Sequence, residues 1–285
     1  MLKWLALLFM TIDHIGYYFY GILPDEIVVL LRCIGRLAFP IFAFFLVKGF
    51  TRTRNPFHYL FRMASWAAIA HFSISAASLA VGRQATLWSL EWTNVMVLFT
   101  FAITMLLGYD LAMRSYHDMI VSMTPVSDSP FKLKESHYDV KVNLGGISMS
   151  PKVGVPAGIA MILISFWAVF ALHADYEFYG LLTILFMYIS YSKEEDCVSV
   201  PMLLLLLFIL NAGYIAFDAM TLGNAESALM QSLSMFSVFL FPVLGKDRRK
   251  PGFLGKYFFY FYYPAHIVLL LFLSFYWNAV MKFFA

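Results

Sequence analysis

Charge and cysteine are what this 285-residue chain has least of: charged residues make up 13% of it, and there are 2 cysteines. Soluble domains carry about a quarter charged residues, so the shortage excludes an ordinary soluble globular protein. Cys33 and Cys197 fit no ligand spacing, so they suggest neither a metal site nor a disulfide framework. No internal repeat or low-complexity tract is evident. What is abundant is apolar: 61% hydrophobic residues, 19% aromatic, and a mean hydropathy of +0.75.

Apolar runs of about 20 residues recur along the chain, the length that a helix needs to cross a bilayer. The expected fold is an all-α polytopic integral membrane protein, a single bundle of about nine transmembrane helices. The spans read as 3–22, 26–47, 62–81, 94–113, 155–173, 177–192, 199–217, 228–244 and 257–279. The first run has no small-residue cleavage site and reads as a retained helix. Residues 1–285 form one domain. Residues 115–153 stand out as a polar insertion between the fourth and fifth helices, containing Gly145-Gly146 and lacking helical periodicity, which reads as a hairpin or loop. The helices show no outstanding GxxxG face.

The placement of basic residues orients the bundle. Lys48, Arg52, Arg54 and Arg62 follow the second span, Arg114 through Lys152 the fourth, Lys193 the sixth, and Lys246 through Lys256 the eighth. The opposite loops hold Arg83 and Lys282, with PDE at 24–26 and HADYE at 173–177 adding acid. By the positive-inside rule the N-terminus is cytoplasmic, the C-terminus lies outside, and the 115–153 insertion is cytoplasmic.

Depth then singles out a few polar residues. Asp13 and His14 lie about ten residues into the first span, roughly 15 Å at 1.5 Å per residue. Arg36 lies at a similar depth from the opposite end of the second span, His71 in the third, and His266 in the last. Ionisable groups at mid-bilayer cost at least about 2.5–3.5 kcal/mol each, so their convergence on one level marks a functional site. Arg32 and Arg36 share a helix face, and such a like-charged pair repels unless an anion sits beside it. Asp13 alone offsets them, which leaves a net positive pocket suited to a carboxylate, a phosphate or an oxyanion. Other readings stand beside this one. A histidine in a span also serves as an interhelical hydrogen bonder, Arg32 can snorkel, and basic loops can act purely as topology determinants.

TIDHIG at 11–16, RCIGRLAFPIFAFFLVKGFTRTRNP at 32–56, NVMVLFTFAI at 94–103, ADYEFYGLLTIL at 174–185 and KYFFYFYYPAHIVLL at 256–270 occur in order. Together these blocks resemble the TraX family, named for the membrane acetyltransferase of F-type conjugative pilin. That family is similar to a wider set of transmembrane acyltransferases that modify heparan glucosamine, O-antigen or peptidoglycan. The resemblance implies a protein of the bacterial cytoplasmic membrane. It also implies an acetyl-CoA donor taken from the cytoplasm, and an acceptor amine or hydroxyl at or beyond the outer face, on a protein N-terminus or a surface glycan. Nucleic acid is not an expected partner, and no metal is implied.

Resemblance and depth meet on the same residues. His14 or His266 is expected as general base or transient acyl carrier, since a histidine near neutral pH can take the acceptor's proton. Asp13 would orient one of them or pair with an arginine. Arg36 and Arg32 would stabilise the oxyanion. His71, Asn94, Asp175 and Tyr263 would position the acceptor. Lys48, Arg52, Arg54, Arg248 and Arg249 would grip the CoA phosphates. The competing function is an anion or proton-coupled transporter built on the same midplane cluster. A third is a structural subunit of a secretion or surface-polymer system.

Overall fold

Backbone polar groups inside hydrocarbon must be satisfied within the segment, and this chain does so with helices. The computed structural model describes residues 2–82, 94–123, 142–144, 147–221, 223, 225–244 and 253–284. Its helices are α1 (Leu2–Tyr18), α2 (Asp25–Gly35), α3 (Ala38–Arg52), α4 (Pro56–Ala80), α5 (Val95–Met123), α6 (Pro151–Ala171), α7 (Glu177–Ser190), α8 (Val200–Thr221), α9 (Glu226–Ser232), α10 (Leu240–Leu244) and α11 (Phe253–Phe284). Two small antiparallel hairpins complete the set. Strand β1 (Val142–Leu144) pairs with β2 (Ile147–Met149), and β3 (Tyr191–Ser192) with β4 (Cys197–Val198).

Among the described residues, 7 helical runs are long and apolar enough to cross a membrane, and the chain is an integral membrane protein. Two expected spans form shorter helices. Helix α1 has 17 residues and α7 has 14, roughly 25 and 21 Å at 1.5 Å per residue, short of the roughly 30 Å hydrocarbon core.

Two other spans are broken. The second divides into α2 and α3 at Arg36 and Leu37. Pro40 explains the break, because it has no N–H to return to the Arg36 carbonyl and its ring crowds that carbonyl. The eighth span runs as α9, then a 3₁₀ stretch over Leu233–Phe239, then α10. Seven residues is long for 3₁₀ geometry, whose hydrogen bonds are poorer than those of an α-helix. Its Ser234, Ser237 and Val238 are buried.

The insertion has different edges from those expected. Helix α5 continues to Met123 and α6 begins at Pro151, so both ends of the 115–153 segment are helical. The β1–β2 hairpin lies within it, while residues 124–141 and 145–146 lie outside the described residues. The absence of a GxxxG face is also corrected. Gly154 and Gly158 are four apart on α6 and face α5: Gly154 packs on the Ser115 side chain, and Gly158 meets Gly108 backbone to backbone, such that a Cβ at Gly108 would stand 2.6 Å from the Gly158 carbonyl oxygen. Small residues permit this approach, which dispersion then stabilises.

The centre of the bundle is apolar, with Ile41, Phe44, Leu98, Ile103, Leu106, Leu181 and Ile184 fully buried. Phe44 stacks on Phe241 at 4.7 Å. Leu163, Trp167, Phe208 and Ile209 face outward, as lipid-facing positions do.

Candidate functional site

Helices α1 and α2 pack closely because glycine lines the seam. A Cβ at Gly16 would stand 3.1 Å from that of Leu31, and one at Gly35 would fall on the Asp13 side chain itself. Asp13 is thereby held against α2, where both arginines reach it. Arg32 Nη1 donates to Asp13 Oδ2 at 2.7 Å, and Arg36 Nη2 lies 3.5 Å from Oδ1. One carboxylate thus bridges two guanidiniums and leaves a single positive charge over. Of the two sequence alternatives for Asp13, the structure has it paired with the arginines.

The helix break at Arg36 lets its guanidinium turn toward the α6–α7 connection. Arg36 Nη1 donates to the Tyr176 hydroxyl at 3.3 Å. Tyr176 has a left-handed backbone (φ 65°), uncommon for a bulky residue, and its ring stacks on Phe39 at 4.2 Å. Asp175, beside it, lies in the field of Arg36. It is solvent-exposed, and His14 and Tyr176 are only partly covered.

The histidines meet at the junction of α1 and α11. His266 Nε2 lies 2.9 Å from His14 Nδ1, and His266 Nδ1 lies 2.7 Å from the Tyr262 carbonyl oxygen. About a turn below, Thr11 donates to the Leu7 carbonyl and therefore accepts from the Tyr262 hydroxyl, at 2.8 Å for each bond. That bond ties α1 to α11 beside the pair. Tyr262 stacks on the His266 ring at 5.0 Å, and Tyr263 lies 6.4 Å from His14 and 6.0 Å from His266.

A cavity of about 240 Å³ is lined on its α11 side by Tyr263, the neighbour of both histidines. Met10, Phe42, Leu46, Met63, Phe99 and Tyr263 form much of its wall, and Lys3, Gly49, Tyr59 and Arg62 also line it. Arg62 sits over Tyr59 and Tyr260 at 5.0 and 5.9 Å, and Lys3 over Phe45 and Phe259 at 5.1 and 5.3 Å. Such faces hold a cation in place without neutralising it. Neither residue stands out in the sequence except as a charge flanking an apolar run.

Several expected residues are engaged elsewhere. Lys48 Nζ is 2.8 Å from Asp196 Oδ2, and Arg52 pairs with Asp196 Oδ1. Burial alone would push the Asp196 carboxyl up, but Lys48, Tyr191 and Arg52 hold it below the usual carboxylate range. Burial and the same carboxylate push the Tyr191 hydroxyl up to about 12. Lys48 and Arg52 thus clamp the β3–β4 hairpin through Asp196. Asn94 is a helix cap: its Oδ1 accepts from the Met96 and Val97 N–H groups at 3.0 and 3.3 Å, and its Nδ2 donates to the Ala67 carbonyl at 3.2 Å. Its amide is thus engaged within the fold. His71 is not drawn to the histidine pair, and its Nε2 is buried without a hydrogen bond among the described residues. Arg54 lines a separate hollow of about 640 Å³ with Arg114 and Lys193. Arg248 and Arg249 lie outside the described residues.

The family described as TraX protein matches residues 1–274. An uncharacterized protein of Rickettsia prowazekii (strain Madrid E) is 51% identical over 50 residues, a stretch covering 18% of this chain and 18% of the relative's own length. No solved structure matches the chain.

Proposed function

The chain belongs to the TraX family, and from that premise we propose that it is a membrane-embedded acyltransferase. It would move an acetyl group from cytoplasmic acetyl-CoA to an amine or hydroxyl at the outer face, on a protein N-terminus such as pilin or on a surface glycan. The observation that carries this reading is the His14–His266 contact at 2.9 Å, beside Tyr263, which lines a cavity that Lys3 and Arg62 also line. The apolar wall and modest width suit the pantetheine arm of the donor, with Arg62 and Lys3 near its phosphates. In this reading the positive-inside rule places that mouth in the cytoplasm and the C-terminus outside.

The chemistry follows from the residues. The acceptor N–H or O–H gives its proton to the histidine pair as its nitrogen or oxygen attacks the thioester carbonyl. The carbonyl oxygen gains charge, and Arg36, with Arg32 behind it, stabilises it from a position already fixed by Asp13 and Tyr176. The C–S bond breaks, and the leaving thiolate takes the proton back. Asp175, exposed and within the field of Arg36, and Tyr263, against both imidazoles, position the acceptor. Arg54 and the loop holding Arg248 and Arg249 are further candidates for the donor's nucleotide end.

Broken helices with charged groups at the break also mark transporters, and the breaks at Arg36 and over Leu233–Phe239 favour that second reading. One experiment separates them. The purified protein is heated in detergent with acetyl-CoA, CoA or an unrelated adenine nucleotide. A ligand bound only by the folded state at about 100 times its Kd adds about 2.7 kcal/mol. A shift specific to CoA species supports the acyltransferase. No shift at saturating CoA, together with saturable anion uptake into liposomes, supports the carrier.

A further inference from the structure

We propose that the two histidines are not equivalent: His266 is a positioning residue that fixes the tautomer of His14, and His14 Nε2 is the atom that takes the acceptor's proton. This inference rests on the acyl-transfer reading and decides which ring does the work.

A backbone carbonyl can only accept, so His266 Nδ1, 2.7 Å from the Tyr262 oxygen, carries a hydrogen. An N···N contact of 2.9 Å needs one bare nitrogen, so the two rings cannot both be cations, and neither forms an ion pair with a carboxylate among the described residues, so both rest neutral. A neutral imidazole has one hydrogen, so His266 Nε2 is a bare acceptor. Its contact with His14 Nδ1 at 2.9 Å is then an N–H···N bond donated by His14. With its hydrogen on Nδ1, His14 presents an unprotonated Nε2.

That nitrogen is also placed for use. His14 Nε2 has no hydrogen bond among the described residues, yet it is not sealed off as His71 Nε2 is. Accepting a proton there forms an imidazolium whose Nδ1–H already points at the His266 lone pair, so the new charge is stabilised without rearrangement. Returning the proton to the thiolate restores the resting tautomer. His266 has no such open nitrogen, since both of its ring nitrogens are engaged. The Thr11–Tyr262 bond keeps the relay aligned by holding Tyr262 in place.

The test uses the full-length protein with ¹⁵N-labelled histidine in detergent, the two signals being assigned by their loss in His14→Gln and His266→Gln. The expected wild-type spectrum has both rings neutral and protonated on Nδ1. A His14 ring protonated on Nε2 instead overturns the proposal, whatever the transfer activity proves to be. The kinetic counterpart uses acetyl-CoA and a model amine. His14→Ala should lower kcat about 10²–10⁴-fold. His266→Gln, whose amide oxygen can still accept from His14 Nδ1, should retain much more activity than His266→Ala, with KM unchanged in both. Activity that survives His14→Ala but is lost in His266→Gln reverses the roles and refutes the assignment. Absence of CoA-dependent transfer in the wild type would defeat the acyltransferase reading, while the spectrum still decides the tautomer.

Discussion

Replacing Asp13 by Asn tests the bridge on which the arginine geometry depends. The change keeps the side chain's size and removes one charge, leaving Arg32 and Arg36 a helical turn apart with no carboxylate between them. At about 4 Å and an effective dielectric of about 20, one such ion pair is worth about 4 kcal/mol before desolvation. Removing one partner of a buried pair costs about 3–5 kcal/mol. The Arg32 side chain is 25% exposed and that of Arg36 13%, so water screens part of this, and Asn can still accept one hydrogen bond. We expect a net loss of about 2–3 kcal/mol, read as a fall in melting temperature of about 5–10 °C in detergent. Adding Arg36→Gln should recover part of that loss, because it removes the uncompensated cation, with a coupling of about 0.5–3 kcal/mol. If Asp13→Asn melts within about 1 °C of wild type, the bridge does not carry the stability argued here.

Other perturbations probe separate parts of the molecule. Gly35→Ala places a methyl on the Asp13 side chain and should cost about 1–3 kcal/mol, whereas Gly21→Ala, in open space but at φ 77°, tests backbone strain alone; a Gly35→Ala protein as stable as wild type would refute the close α1–α2 seam. Asn94→Ala removes a cap and a tie to α4, and should lower stability by about 1–2 kcal/mol with donor KM unchanged; a KM effect without a stability effect would restore its expected role in positioning. Because the Asp196 carboxyl is held low, its clamp stabilises fully above the ordinary carboxylate value near 4 and is lost as pH falls through the folded value below it. Asp196→Asn should therefore flatten the acid side of the stability–pH curve, and an unchanged acid limb would show that the clamp is not coupled to folding. Arg62→Ala should raise the KM for acetyl-CoA about tenfold with little change in kcat, and an unchanged KM would move the donor's mouth elsewhere.

The parts of the site legible in the sequence are those whose cost is set by depth alone. Asp13, His14, Arg36 and His266 stand out because a polar group at mid-bilayer has no cheap explanation, and the structure brings them into two adjacent contacts. Residues near the ends of helices were harder to read, since a charge there is inexpensive with or without a role. Lys48 and Arg52 read as a phosphate rim because their partner, Asp196, is more than a hundred residues away in a short hairpin that no periodicity announces. Asn94 carried a readable signal, a capping residue directly before an apolar run. The split of the second span was also written in advance, in Pro40 four residues after Arg36. The 3₁₀ stretch over Leu233–Phe239 has no comparable marker, because its serines and phenylalanines suit either helix type.

The glycine seam between α5 and α6 bears on how the protein can be built and altered. Two helices joined backbone to backbone at Gly108 and Gly158 do not depend on the chain between them to find each other. The connection from Met123 to Val142 is therefore a place where sequence can be added, exchanged or cut. Fragments 1–123 and 142–285, produced as separate chains, should reassociate in the membrane into one bundle, and a fluorescent protein inserted there should leave the histidine junction undisturbed.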